Sequence, residues 1–123
     1  MATDKSINVL GTKLKICSCK PLTGYYRDGF CNTSDNDFGM HTVCVIATKE
    51  FLEYSKSVGN DLSTDNPSYN FIGLKPGDKW CLCANRWKQA EKANCAPPVI
   101  LESTHYKTLK VVDIYILQKY SIN

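Results

Sequence analysis

The run Gly77 to Trp87, GDKWCLCANRW, constrains the chain more than any other stretch. Pro76-Gly77 makes a turn. Lys79 to Ala84 then alternates with the period of a strand. Lys79, Cys81 and Cys83 share one face; Trp80, Leu82 and Ala84 share the other. Asn85 is a candidate N-cap, and Arg86 to Ala93 reads as a short helix with Trp87, Ala90 and Glu91 at helical spacing. Pro97-Pro98 stop it. No other run packs so many chemically capable residues so closely.

The same periodicities organise the rest. His41 to Ala47, HTVCVIA, is apolar on both faces and reads as a central strand with His41 at its start. Thr48 is a credible N-cap for a helix over Lys49 to Val58, with Glu50 in its first turn and Gly59 just past its end. Its stripe of Phe51, Leu52, Ser55 and Val58 belongs to a core. Ser6 to Leu10 is read as an edge strand and Leu14 to Cys19 as a weakly alternating segment closed by Pro21. Val99 to Thr104 is read as a further strand, and Asp113 as the N-cap of a final helix carrying Ile114, Leu117 and Tyr120 inward. Between the central strand's helix and the GDKWCLC strand, Asn60 to Asp78 runs for nineteen residues with little periodicity. Loops of that length in compact domains are functional or locally packed, and Phe71, Ile72 and Leu74 are expected to pin the second half. Several connections are too short for regular parallel βαβ units. The expected fold is therefore α+β, a two-layer sandwich with a small three- to four-stranded mixed sheet backed by two or three helices.

At 123 residues the expectation is a single domain, 1–123. The excess of 15 basic over 12 acidic residues is slight, and no Lys/Arg run reaches five, so no nucleic-acid partner is expected. The opening MATDKSINVLGTK has no apolar h-region and no apolar run spans a bilayer, so no membrane association is expected and the expected location is cytoplasmic. In that compartment the seven cysteines read as thiols, not as a disulfide framework.

With those segments in hand, the chain resembles an uncharacterised, mostly bacterial family, the domain-of-unknown-function family 2237. The matching runs are NVLGT, TGYYRDG followed by CNT, HTVCVIAT with EFL, GNDLST, GLKPGDKWCLCANRW, APPV and the pair Thr104-His105. They extend from about Asn8 to Lys119. Cys17, Cys31, Cys44, Cys81 and Cys83 fall on family cysteine positions; Cys19 and Cys95 do not, and Phe30 stands where the resemblance implies another cysteine. What the resemblance implies is a single-domain α+β protein. It implies no established activity.

Three readings of the chemistry follow. The first is a pocket for a small anionic ligand, a carboxylate or phosphate, with Arg27, Asp28, His41, Arg86 and His105 as binding residues. Cys81, Cys83 and Cys31 are the candidate catalytic thiols beside them. The second is a metal site built on Cys17-x-Cys19 and Cys81-x-Cys83 with a histidine. Residues two apart on an extended strand project in parallel about 7 Å apart, whereas one zinc needs each sulfur at about 2.3 Å. No metal and no cofactor is therefore assigned. The third is a structural or protein-interaction domain whose cysteines fill the core, its partner unspecified. There is no G-x-S-x-G elbow and no phosphate-binding glycine pattern, and the sequence does not decide whether the chain is an enzyme.

Overall fold

Alternation in HTVCVI and KWCLC produces two strands, β1 (His41–Ile46) and β2 (Lys79–Cys83), paired antiparallel. The register sets His41 opposite Cys83, Cys44 opposite Cys81 and Val45 opposite Trp80, with an irregularity between His41 and Val43. One face delivers Val43, Val45, Trp80 and Leu82 to the main core. The other delivers Cys44 and Cys81 to a separate buried cluster with Cys17 and Cys31. The structure, a computed structural model, describes residues 6–69, 71 and 73–122. Ile72, expected to pin the long loop, lies outside them.

Three α-helices accompany the sheet: α1 (Lys49–Ser57), α2 (Ala84–Lys92) and α3 (Ile114–Lys119). Thr48 caps α1, its hydroxyl accepting the Phe51 N–H at 3.1 Å. Phe51, Leu52 and Ser55 form its buried face. Asp113 caps α3 in the same way, through the Tyr115 N–H at 2.9 Å, and Leu117 is its buried residue. The start of α2 differs from expectation. Asn85 lies inside the helix, Cys83 occupies the N-cap position without a side-chain bond, and the Ala84 N–H donates to the Met40 carbonyl at 2.9 Å. β2 thus turns directly into α2, because a β1-side carbonyl takes the first helical amide. Trp87 locks α2 down: it is fully buried, its indole N–H donates to the Pro97 carbonyl at 3.1 Å, and Tyr120 meets its ring edge-on.

The α+β class holds, but among the described residues the sheet has two strands rather than three to four. Where a third strand was expected, Val99 makes only single bridges to Val45 and Ser121. Ile46 N–H reaches the Pro98 carbonyl and Ile100 N–H reaches Cys44, but Pro97 and Pro98 offer no N–H to a ladder. The chain then coils into a 3-10 turn, Leu101–Ser103, and the Thr104 hydroxyl accepts the Cys44 N–H at 3.1 Å in place of a strand. Ser6 to Leu10 likewise gives isolated bridges, Ile7 with Lys13 and Asn8 with His105. Every buried side-chain N or O among the described residues has a hydrogen-bond partner, as a well-ordered core requires. No described helix is long and apolar enough to cross a membrane.

The cysteine expectation is overturned. Cys17 is bonded to Cys44 and Cys31 to Cys81, leaving Cys19, Cys83 and Cys95 free. The paired residues lie 27 and 50 positions apart in sequence, and the fold sets their Cα atoms 5.8 and 5.2 Å apart, within the reach of a disulfide.

Candidate functional site

A cleft of about 730 Å³ opens where the end of β2 passes into α2. Its walls are the Gly24–Arg27 turn, the start of β1 and the first half of the long loop, from Asn60 to Asn66. That loop is folded, not loose. Leu74 N–H donates to the Leu62 carbonyl at 2.7 Å, Gly73 N–H to Asp65 at 2.8 Å, and Phe71 packs edge-on against Trp80. The long aperiodic stretch therefore forms one wall of the cleft.

Arg27 is held in place from three sides. Its backbone sits in the left-handed region at φ +54°, a conformation that costs a non-glycine residue about 1 kcal/mol or more. Its Nη1 donates to the Gly24 carbonyl at 2.7 Å, and its guanidinium carbon lies 5.2 Å from the Trp80 ring centroid, a cation–π distance. The turn requires glycine at 24, where φ is +102° and a Cβ would run into the Phe30 carbonyl oxygen. Arg86, in the first turn of α2, also lines the cleft. Its Nη1 lies 3.4 Å from the Val58 carbonyl and 3.3 Å from Gln89 Oε1.

Among the described residues neither guanidinium has a carboxylate partner. The carboxylates among the described residues that meet basic groups are Glu102 with Lys15, Asp35 with Lys107 and Asp37 with the His41 ring. Two acidic residues line the cleft, yet both face their own loop. Asp61 accepts the Ser63 and Thr64 N–H groups and, at 2.6 Å, the Thr64 hydroxyl. The hydroxyl bond, and then the Ser63 amide, hold its carboxyl below the usual value. Asp65 accepts from Gly73. The cleft thus carries two guanidiniums and two carboxylates, and the carboxylates bond to donors of their own loop rather than to the arginines.

His41 supplies the third polar group. Its Nδ1 lies 2.7 Å from Asp37 Oδ1. Asp37 is buried, and its other oxygen accepts the His41 N–H and the Thr33 hydroxyl, each at 3.0 Å. A carboxylate only accepts, so Nδ1 donates in this bond and Nε2 is left as the acceptor nitrogen of the neutral ring. The left-handed turn at Met40, φ +48°, brings Asp37 back onto the ring. A Cβ at Gly39 would lie 2.7 Å from His41 Cε1, so the ring packs on a bare backbone. Tyr25 stacks beside it, with ring centroids 6.5 Å apart. Sequence reasoning missed Asp37; its only signal was an acid four residues before the histidine.

Of the residues singled out from sequence, Arg27, His41, Cys81, Cys83 and Arg86 line the cleft; Asp28, Cys31 and His105 do not. Asp28 is exposed and accepts the Phe30 N–H at 3.1 Å, stabilising the turn. Cys31 and Cys81 are bonded to each other, so neither is a free thiol here. Cys83 is free and half-buried. His105 is buried, its Nδ1 accepts the Lys107 N–H at 3.1 Å, and Tyr106 stacks on it. Burial, and then the Lys107 charge, push its pKa down to about 4.

The family model described as an uncharacterized protein conserved in bacteria, domain-of-unknown-function family 2237, matches residues 7–121, and the chain belongs to that family. No curated protein matches the chain.

Proposed function

We propose that this cleft binds a small anionic ligand, a carboxylate or a phosphate. The observation that carries the reading is the pair of guanidiniums, Arg27 and Arg86, lining one cleft with no carboxylate partner among the described residues. Guanidiniums give charge-assisted, bidentate bonds to planar carboxylates and to phosphates. Supporting it, the N-terminus of α2 has no side-chain cap at Cys83; Met40 takes only the Ala84 amide, and the helix amides after it favour negative charge. Trp80, Phe71 and Tyr25 would cover the ligand's apolar part. The test is thermal unfolding with phosphate and with small mono- and dicarboxylates. An anion at ten times its Kd stabilises by roughly 1.4 kcal/mol, a Tm rise of about 5 °C for a chain of this size. Arg27→Ala and Arg86→Ala should each remove most of that rise. Absence of any rise in the unmodified protein, across all these anions, ends the proposal.

Thiol chemistry on the bound ligand is a second reading, favoured by the strand register that sets His41 opposite Cys83. Cys83, His41 and Asp37 then stand in the roles of nucleophile, base and orienting carboxylate. Cys83 should alkylate faster than exposed Cys19 in the native protein, and His41→Ala should remove that advantage. Labelling of Cys83 slower than Cys19 would leave the cleft a binding site only.

A further inference from the structure

We propose that Cys17, Cys31, Cys44 and Cys81, when reduced, form a four-thiolate site for one soft divalent cation of the zinc class. The four come from four separate segments. Cys44 and Cys81 are directly opposed on β1 and β2. Cys17 and Cys31 come from the loop folded over that face, tied by a 2.7 Å bond from the Cys17 N–H to the Gly29 carbonyl. All four are buried and form a cluster apart from the main core.

The sulfurs of Cys17, Cys31 and Cys81 lie within 4.8 Å of one another, and the fourth, Cys44, is bonded to Cys17. Two disulfides gain nothing from lying side by side, whereas a metal requires all its ligands at one point. Tetrahedral zinc with sulfurs at about 2.3 Å needs them about 3.8 Å apart. Opening the two bonds separates the bonded sulfurs toward that spacing, and the unbonded ones among Cys17, Cys31 and Cys81 need close by no more than about 1 Å; Cys44, released from Cys17, reaches the same point by rotating its own side chain. Unlike Cys81 and Cys83, which stand two apart along β2, this set comes together from both strands and the loop.

Each disulfide takes two electrons and two protons from a dithiol reductant, which leaves as its own disulfide. Four thiols result, and the cation binds them as thiolates, displacing up to four protons. In a reducing compartment four buried cysteines are more often metal ligands than disulfides, and soft thiolates select zinc over hard cations. The cluster backs β2 through Cys81, which also lines the cleft, so oxidation state would bear on the anion site.

The test uses the full chain, reduced anaerobically with a dithiol, desalted, and titrated with Co²⁺ and then Zn²⁺. The expected result is one equivalent of Co²⁺ with the intense visible absorption of a tetrahedral thiolate site, displaced by one equivalent of Zn²⁺. A Cys19→Ser, Cys83→Ser, Cys95→Ser triple variant should bind identically, and Cys44→Ser should lose the spectrum. No binding, a weak octahedral spectrum, or loss of the site in the triple variant would overturn the proposal. The triple variant keeps the test decisive even if Cys44→Ser does not fold.

Discussion

Replacing Cys31 and Cys81 together by alanine should cost the oxidised protein about 4 kcal/mol of stability. The bond closes a separation of 50 residues, from the Arg27 turn to the middle of β2. In the chain-entropy account its loss frees the unfolded chain by that amount, and two buried sulfurs are lost from a packed cluster besides. The Cys17–Cys44 bond, over 27 residues, should contribute slightly less, about 3.5 kcal/mol. Urea unfolding of the double variant against the oxidised parent measures the difference. A thiol titration of the parent in denaturant without reductant should find Cys19, Cys83 and Cys95 and no others. A loss below about 1 kcal/mol, against the 2–5 typical of native disulfides, would mean that the bond does not constrain the chain.

Stability should also fall by roughly 2 kcal/mol between pH 7.5 and pH 5 on account of His105 alone. Its folded pKa is depressed to about 4 from 6.5. The unfolded chain takes up a proton as pH drops below 6.5, while the folded chain keeps the ring neutral. Stability is therefore fully present above pH 6.5 and is lost as pH falls toward 4. The cause is structural: a buried ring whose Nδ1 is committed to accepting the Lys107 N–H has no place for a second proton. His105→Gln should flatten the fall, since glutamine does not titrate. Equal stability of the parent at the two pH values would contradict the buried, neutral assignment.

Much of the scaffold was legible in the sequence because it rests on local rules. HTVCVI and KWCLC alternate, Thr48 and Asp113 cap, and each does so in the structure. Arg27, His41, Cys83 and Arg86 were readable as candidates because turns and strand ends carry them. What failed was non-local. The expected strand at Val99 was undone by two prolines and by Thr104 taking the Cys44 amide. Asn85 lost the cap position because Met40, 45 residues earlier by number, supplied the carbonyl that starts α2. In the sequence alone the seven cysteines read as free thiols. Pairing across 27 and 50 residues leaves no local trace that could have corrected it. Asp37 was invisible as a partner of His41 until the left-handed Met40 turn was seen.

In the proposed anion site, Arg27 and Arg86, with no carboxylate partner among the described residues, and the His41 imidazole oriented by Asp37 act on one ligand. An amide and side-chain NMR titration of the unmodified protein with phosphate, and in parallel with a small dicarboxylate, tests it most directly. Saturable shifts concentrated on Arg27, His41, Arg86 and residues 60–66 are the result expected. Shifts that do not saturate, or that scatter over the exposed lysines and spare Arg27 and Arg86, would contradict it.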